Sequence, residues 1–194
     1  MQVLKNIFSR FYIYILWALS AYVLWAFIFG LVTDTKPEKK VVLFADVTGI
    51  RDIDLASLLE ESAEDPVRMV QVHPFSYAMF SEEAISGADI YIVGKKEAAD
   101  YQENFAVLNE EALSFLGKDR VYINEETGEV TGVLIYDAAS HKGCAEEYIP
   151  YEQSESGEED YYLFFSASSK HLFTVKKSGD DEALRLAEKL LLLP

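Results

Sequence analysis

VVLFADV, residues 41–47, is the stretch from which the fold is read. It is short, apolar and rich in β-branched side chains, with no polar residue until Asp46. A run of that kind reads as a buried strand. Thr48-Gly49 marks the turn that follows, and Asp54 is a candidate N-cap for an amphipathic helix from Leu55 to Ala63. Asp65-Pro66 ends that helix.

Moving outward toward the C-terminus, the pattern repeats. Residues 68–72 read as a second strand. A short helix capped by Ser81 follows, with Glu82 and Glu83 in its first turn, and residues 88–93 (ADIYIV) read as a third strand. A helix or loop runs through Phe105, and Asn109 caps a helix over 110–116. This β-α-β-α-β alternation predicts an α/β domain with parallel strands joined by right-handed crossovers. The character then changes. Residues 121–124 and 130–136 flank Glu125-Glu126-Thr127-Gly128 and predict a hairpin with a Gly turn. Residues 147–151 and 161–166 suggest two further strands, separated by the acidic loop 152–160. Asp180 is placed to cap a last amphipathic helix over 182–192.

Moving outward the other way, residues 33–40 form a short polar linker with Pro37, and before it lies FYIYILWALSAYVLWAFIFGLV, residues 11–32. These 22 residues carry no charge. A helix of that length rises about 33 Å, enough for a hydrocarbon core of about 30 Å. Tyr12, Tyr14 and Trp17 lie toward one end and Trp25 toward the other, as interfacial anchors do. The run exceeds the usual apolar segment of a cleaved signal, and Gly30-Leu31-Val32-Thr33-Asp34 offers no small-x-small cleavage site. An uncleaved signal anchor is expected: tail 1–10, transmembrane helix 11–32, linker 33–40, one α/β domain 41–194. Lys5 and Arg10 precede the span, and Lys36, Lys39 and Lys40 follow it, so basic residues alone do not fix its sense. Long domains cross largely regardless of charge, and the expected topology is N-terminus inside, domain outside, in the cell membrane.

Charge narrows the partners. The chain has 194 residues and a formal net charge of −16; residues 1–32 hold two basic residues and no acid, so the rest carries −18. Such a surface repels phosphate backbones, which argues against nucleic acid as a partner. Cys144 stands alone, so the chain has no internal disulfide. His141-Lys142-Gly143-Cys144 lacks the paired ligand spacing of a zinc site and reads as a surface loop. There is no Gly-rich phosphate loop, no G-x-S-x-G and no H-E-x-x-H, so neither catalytic residues, a metal nor a cofactor is expected. Acid pairs such as Asp52/Asp54 and Asp180/Asp181 read as features of helix starts.

A binding site is expected at the carboxyl ends of the parallel strands, where open α/β sheets bind ligands. Those ends carry Asp46 to Asp52, His73 to Tyr77, and Gly94 onward. The candidate ligand-binding residues are Thr48, Asp52, Phe75, Tyr77 and Tyr91. Phe75 and Tyr77 could stack on a sugar or another small polar solute, or Phe75 and Phe80 could instead fill the core.

ADVTGIRDIDLASLLEE (residues 45–61), VQVHPFSYAMFSEEAISGADIYIV (residues 70–93) and FAVLNEEALSFLGKDRVYINEETGEVTGVLIYD (residues 105–137) together resemble the N-terminal lobe of extracellular solute-binding proteins. These are the capture subunits of ABC importers, with the type II periplasmic-binding-protein fold. The later YYLFFSASSKHL, residues 161–172, is similar to a segment that returns to that lobe. The resemblance implies a single lobe that binds a small polar solute or assists an importer. The chain departs from the family in two ways: a second lobe does not fit in its length, and a transmembrane helix stands where the family carries a lipid-anchor cysteine. The alternative expectation is a non-catalytic interaction module that docks on another membrane protein.

Overall fold

The computed structural model describes residues 2–33, 35–74, 87–117, 120–153, 159–172 and 181–194. It divides into two compact units, residues 1–36 and residues 37–194. The first is the helix α1 (Gln2–Thr33), which runs through the expected tail as well as the apolar stretch. Its segment Phe11–Phe29 is long and apolar enough to cross a membrane. Trp17 and Trp25 and their apolar neighbours are exposed. Nonpolar side chains on every face of a helix suit lipid rather than water.

The second unit is a mixed α/β domain built on one seven-stranded sheet. In chain order its elements are β1 (Lys40–Ala45), α2 (Asp52–Glu60), β2 (Met69–Pro74), β3 (Ile90–Gly94), α3 (Ala98–Tyr101), α4 (Glu110–Leu116), β4 (Val121–Ile123), β5 (Val130–Asp137), β6 (Lys142–Gly143), β7 (Tyr161–Phe165) and α5 (Glu182–Leu192). The strand order is β2-β1-β3-β7-β5-β4, with β6 also on β5. β1 pairs parallel with both β2 and β3, as the alternation predicts. β7 comes back into the middle of the sheet and pairs antiparallel with β3 on one side and β5 on the other. β3 and β5 therefore run the same way.

Strand alternation explains why β1 is apolar from Val41 to Ala45. Val41, Leu43 and Ala45 enter one core with Ile90, Ile92, Leu163 and Phe165; Val42 and Phe44 enter a second with Tyr91, Val93 and Phe164. Successive side chains point to opposite faces, and both faces are covered. The first core is closed by Leu55 and Leu59 of α2, Ala112 of α4, and Ala183, Leu186, Ala187 and Leu190 of α5. The second is aromatic: Phe105 stacks on Phe164 at 4.0 Å, and Tyr122 meets Phe164 edge-on at 5.1 Å. Gly132 of β5 lies opposite Phe164. A Cβ there would stand 2.6 Å from the Phe164 ring, so only glycine leaves room for that side chain.

Local signals hold where the chemistry is local. The Asn109 side chain accepts from the Ala112 amide at 2.8 Å, capping α4. The predicted hairpin is β4–β5, closed by the Asn124 amide to the Glu129 carbonyl at 2.8 Å, with Gly128 at a φ of 73°. Three expectations need correction. α2 begins at Asp52, so Asp54 lies in its first turn, bonded to Arg51, and caps nothing. Residues 147–151 form no strand: Ala145 takes a φ of 58°, the Tyr148 and Ile149 amides turn back onto its carbonyl, and a 3-10 turn follows at Tyr151–Gln153. Residues 141–144 are not all loop, since Lys142–Gly143 pair with Tyr136 and Asp137. The proposed caps Ser81 and Asp180 lie outside the described residues; Asp181, at the start of α5, makes no side-chain capping bond.

Candidate functional site at the carboxyl edge of the sheet

β1, β3 and β5 share one direction, so their carboxyl ends reach the same edge of the sheet. The amino end of antiparallel β7 arrives there too. The register shows this directly, since Tyr161 pairs with Gly94 on one side and Tyr136 on the other. Four strand ends thus bring together Asp46, Gly94 to Glu97, Asp137 to Ala139, and Glu159-Asp160. The loops are tied to one another through the β7 end. The Lys95 amide donates to the Asp160 carbonyl at 2.9 Å, and the Lys96 amide to Glu159 Oε2 at 3.1 Å. The Ala138 amide donates to Asp160 Oδ1 at 3.0 Å. An open cavity of about 600 Å³ lies at this edge, lined by Lys95, Lys96, Ala138, Ala139, His141, Glu159 and Asp160.

Three carboxyls gather where β1 and β3 end. Glu159 is only 7% exposed. Its Oε1 and Glu97 Oε2 are buried and meet no amide, hydroxyl or ammonium donor among the described residues; the hydrogen bond open to them is a proton held between the two carboxyls. Each would stand 2.7 Å from a Cβ built at residue 94. Gly94 therefore keeps open the space over which the two carboxyls close, and any larger residue would push them apart. Burial raises the pKa of Glu97, and the charge of Glu159 raises it further. Asp46 is pushed from 3.8 up to about 6, first by burial and then by the charges of Glu97 and Glu159. The phenol of Tyr101 is raised as well, by burial and then by Asp46. Near neutral pH this corner is under electrostatic pressure, which a proton or a hydrogen-bond-donating ligand relieves.

The candidate ligand-binding residues fall in different places. Thr48 is exposed in the turn after β1, on the edge just described, and Asp52 is half-buried at the first residue of α2. Tyr91 sits within β3 and is 1% exposed, inside the aromatic core, 5.5 Å from Phe105 and 6.4 Å from Phe44. Burial pushes its phenol up, against a hydrogen bond with Ser166 that lowers it. That position makes Tyr91 part of the packing between sheet and covering layer rather than of the cavity wall. Phe75 and Tyr77 lie outside the described residues.

Asp46 and the stretch from Gly94 onward, which includes Lys95 and Lys96, are legible in the sequence as strand ends, whereas His141 reads there as part of a surface loop and Glu159 and Asp160 as the end of an acidic loop. The available signal was the set of polar residues immediately flanking each apolar strand, read together with strand direction. Among the described residues no group of three or more His, Cys, Asp or Glu side chains is arranged to hold a metal ion. The cavity instead offers ammonium groups, carboxylates and an imidazole, suited to hydrogen-bonding a polar molecule. Comparison with protein-family models, with curated proteins and with solved structures returns no match to this chain.

Proposed function

We propose that this protein is a membrane-tethered, non-catalytic binding domain that captures a small polar solute, such as a sugar, at the carboxyl edge of its sheet. The observation that carries this reading is the convergence of four strand ends on one open cavity, where the buried Oε1 of Glu159 has, among the described residues, no donor other than the Glu97 carboxyl. Lys95, Lys96 and His141 donate to hydroxyl or carboxylate oxygens of the solute, and Glu159 and Asp160 accept from its hydroxyls. In this reading the domain is a single lobe of the type II periplasmic-binding-protein kind, and Tyr161–Phe165, which pairs between β3 and β5, is the segment that returns to it. A single lobe covers only one side of a ligand, so affinity is modest, and delivery to an importer in the same membrane suits such a part.

In this reading α1 spans the bilayer with its N-terminus inside and holds residues 37–194 outside the cytoplasm. Protease added to intact cells then digests the domain; digestion only after lysis reverses the orientation. The binding role is tested by thermal unfolding of the full chain in detergent against sugars, amino acids and short peptides. A ligand at 100 times its dissociation constant adds about 2.7 kcal/mol, a rise of several degrees for a domain of this size. Lys96→Ala is expected to abolish the rise. Cooperative unfolding that no solute class shifts overturns solute capture and favours a module that docks on another membrane protein.

A further inference from the structure

A second, smaller cavity of about 170 Å³ lies beside the first, lined by Tyr136, Glu146, Ile149, Pro150, Tyr151 and Glu152. Its back wall is rigid. The Tyr136 ring stacks on Tyr151 at 4.7 Å and 13°, and Tyr161 approaches it from the edge at 6.3 Å. On its other side is Gly143, where a Cβ would stand 2.8 Å from the ring. The ring has no room to turn away. The Tyr151 hydroxyl donates to the Cys144 carbonyl at 2.9 Å. The Tyr136 hydroxyl differs: the residue is 2% exposed, and its oxygen has no hydrogen-bond partner among the described residues. Leaving a buried hydroxyl unpaired opposes folding, so an orphan in a rigid setting points to something that completes it.

The chemistry of what completes it follows from the neighbours. Burial raises the Tyr136 phenol, and the charges of Glu152 and Glu146 raise it further, so both carboxylates act on this hydroxyl. Glu146 Oε1 accepts from the Gly143 amide, and Glu152 Oε1 pairs with His141 Nδ1 at 3.4 Å. Two carboxylates exclude an anion. The phenol oxygen can accept a hydrogen bond, and Ile149 and Pro150 offer apolar surface for a short stem. The cavity holds about five or six non-hydrogen atoms, taking about 30 Å³ for each, as for a water in the liquid.

We propose that this pocket binds a short primary alkylammonium group, its nitrogen donating to the Tyr136 hydroxyl oxygen and to the carboxylates of Glu146 and Glu152. The pocket shares no lining residue with the strand-end cavity, and the inference stands whether or not that cavity captures a solute.

The test is a calorimetric titration of the full chain in detergent with n-butylammonium, using n-butanol as the neutral isostere and butyrate as the anionic one, at constant ionic strength. Saturable binding is expected for the amine alone. Tyr136→Phe keeps the ring and removes the oxygen; it is expected to weaken the amine about tenfold or more, with the tyrosine near-UV signal otherwise intact. Glu152→Gln changes an exposed side chain, folds regardless, and is expected to weaken the amine as well. The proposal is overturned if butanol binds as the amine does, or if neither variant changes the amine's affinity.

Discussion

Asp46→Asn probes the electrostatic pressure at the strand-end corner. The substitution keeps the shape of the side chain and removes its charge. The Asp46 carboxyl is raised from 3.8 to about 6 in the fold, so the charged form is the one the fold disfavours. The protonated form, present below pH 3.8, incurs no penalty. The penalty enters as pH climbs from 3.8 to about 6 and stays constant above that. A shift of about two units corresponds to about 3 kcal/mol at most. Asp46 is partly open to solvent, which screens its neighbours, and about 1–2 kcal/mol is the expected gain for Asn at pH 7.5. For a domain of this size that raises the midpoint of thermal unfolding by about 2–8 °C. The assay is thermal unfolding of the full chain followed by the tyrosine near-UV signal, which reports the folded domain, at pH 4 and pH 7.5. Wild type and variant should nearly coincide at pH 4 and separate at pH 7.5, with Asn the more stable. Equal differences at the two pH values, or a less stable variant at pH 7.5, would refute the reasoning that burial, reinforced by the charges of Glu97 and Glu159, disfavours the charged form of this carboxyl.

Two further substitutions test the packing that carries the site. Gly132→Ala places a Cβ 2.6 Å from the ring of Phe164, which is fully buried and has nowhere to move; urea unfolding should show a loss of about 1–3 kcal/mol, and a neutral result would mean the β5–β7 contact is looser than described. Asp89→Ala leaves the Val42 amide, now bonded to Asp89 Oδ2 at 2.9 Å, and the Ser169 hydroxyl, bonded to Oδ1 at 2.6 Å, without acceptors. A loss of about 1–3 kcal/mol is expected, with faster hydrogen exchange at the Val42 amide, while Asp89→Asn should keep part of both.

Much of the fold is legible because short-range chemistry sets it. Val41 to Ala45 of β1 are buried on both faces and include no polar side chain to contradict a buried strand. The Asn109 cap and the Asn124–Glu129 turn are closed by groups a few residues apart, so nothing distant decides them. Residues 147–151 mislead for the opposite reason. Tyr148, Ile149 and Tyr151 look like strand material, yet a turn at Ala145 redirects the chain, and Tyr151 is held by stacking on Tyr136 rather than by a ladder. Tyr91 misleads similarly: an aromatic residue near a strand end could face a ligand or a covering layer, and only the second core around Phe44 and Phe105 decides between them.

The sequence by itself determined an apolar helix of membrane-spanning length, an acidic domain beyond it, and a βαβ start that makes the first strands parallel. These follow from hydropathy, charge and periodicity, which act over a turn of helix or a few residues of strand. The position of β7 was decided only by the tertiary structure, because strand order is a contest between distant surfaces and leaves little local trace. That one placement brings Glu159 beside Glu97 and Asp46, residues far apart along the chain, and so creates the carboxyl corner and the cavity next to it.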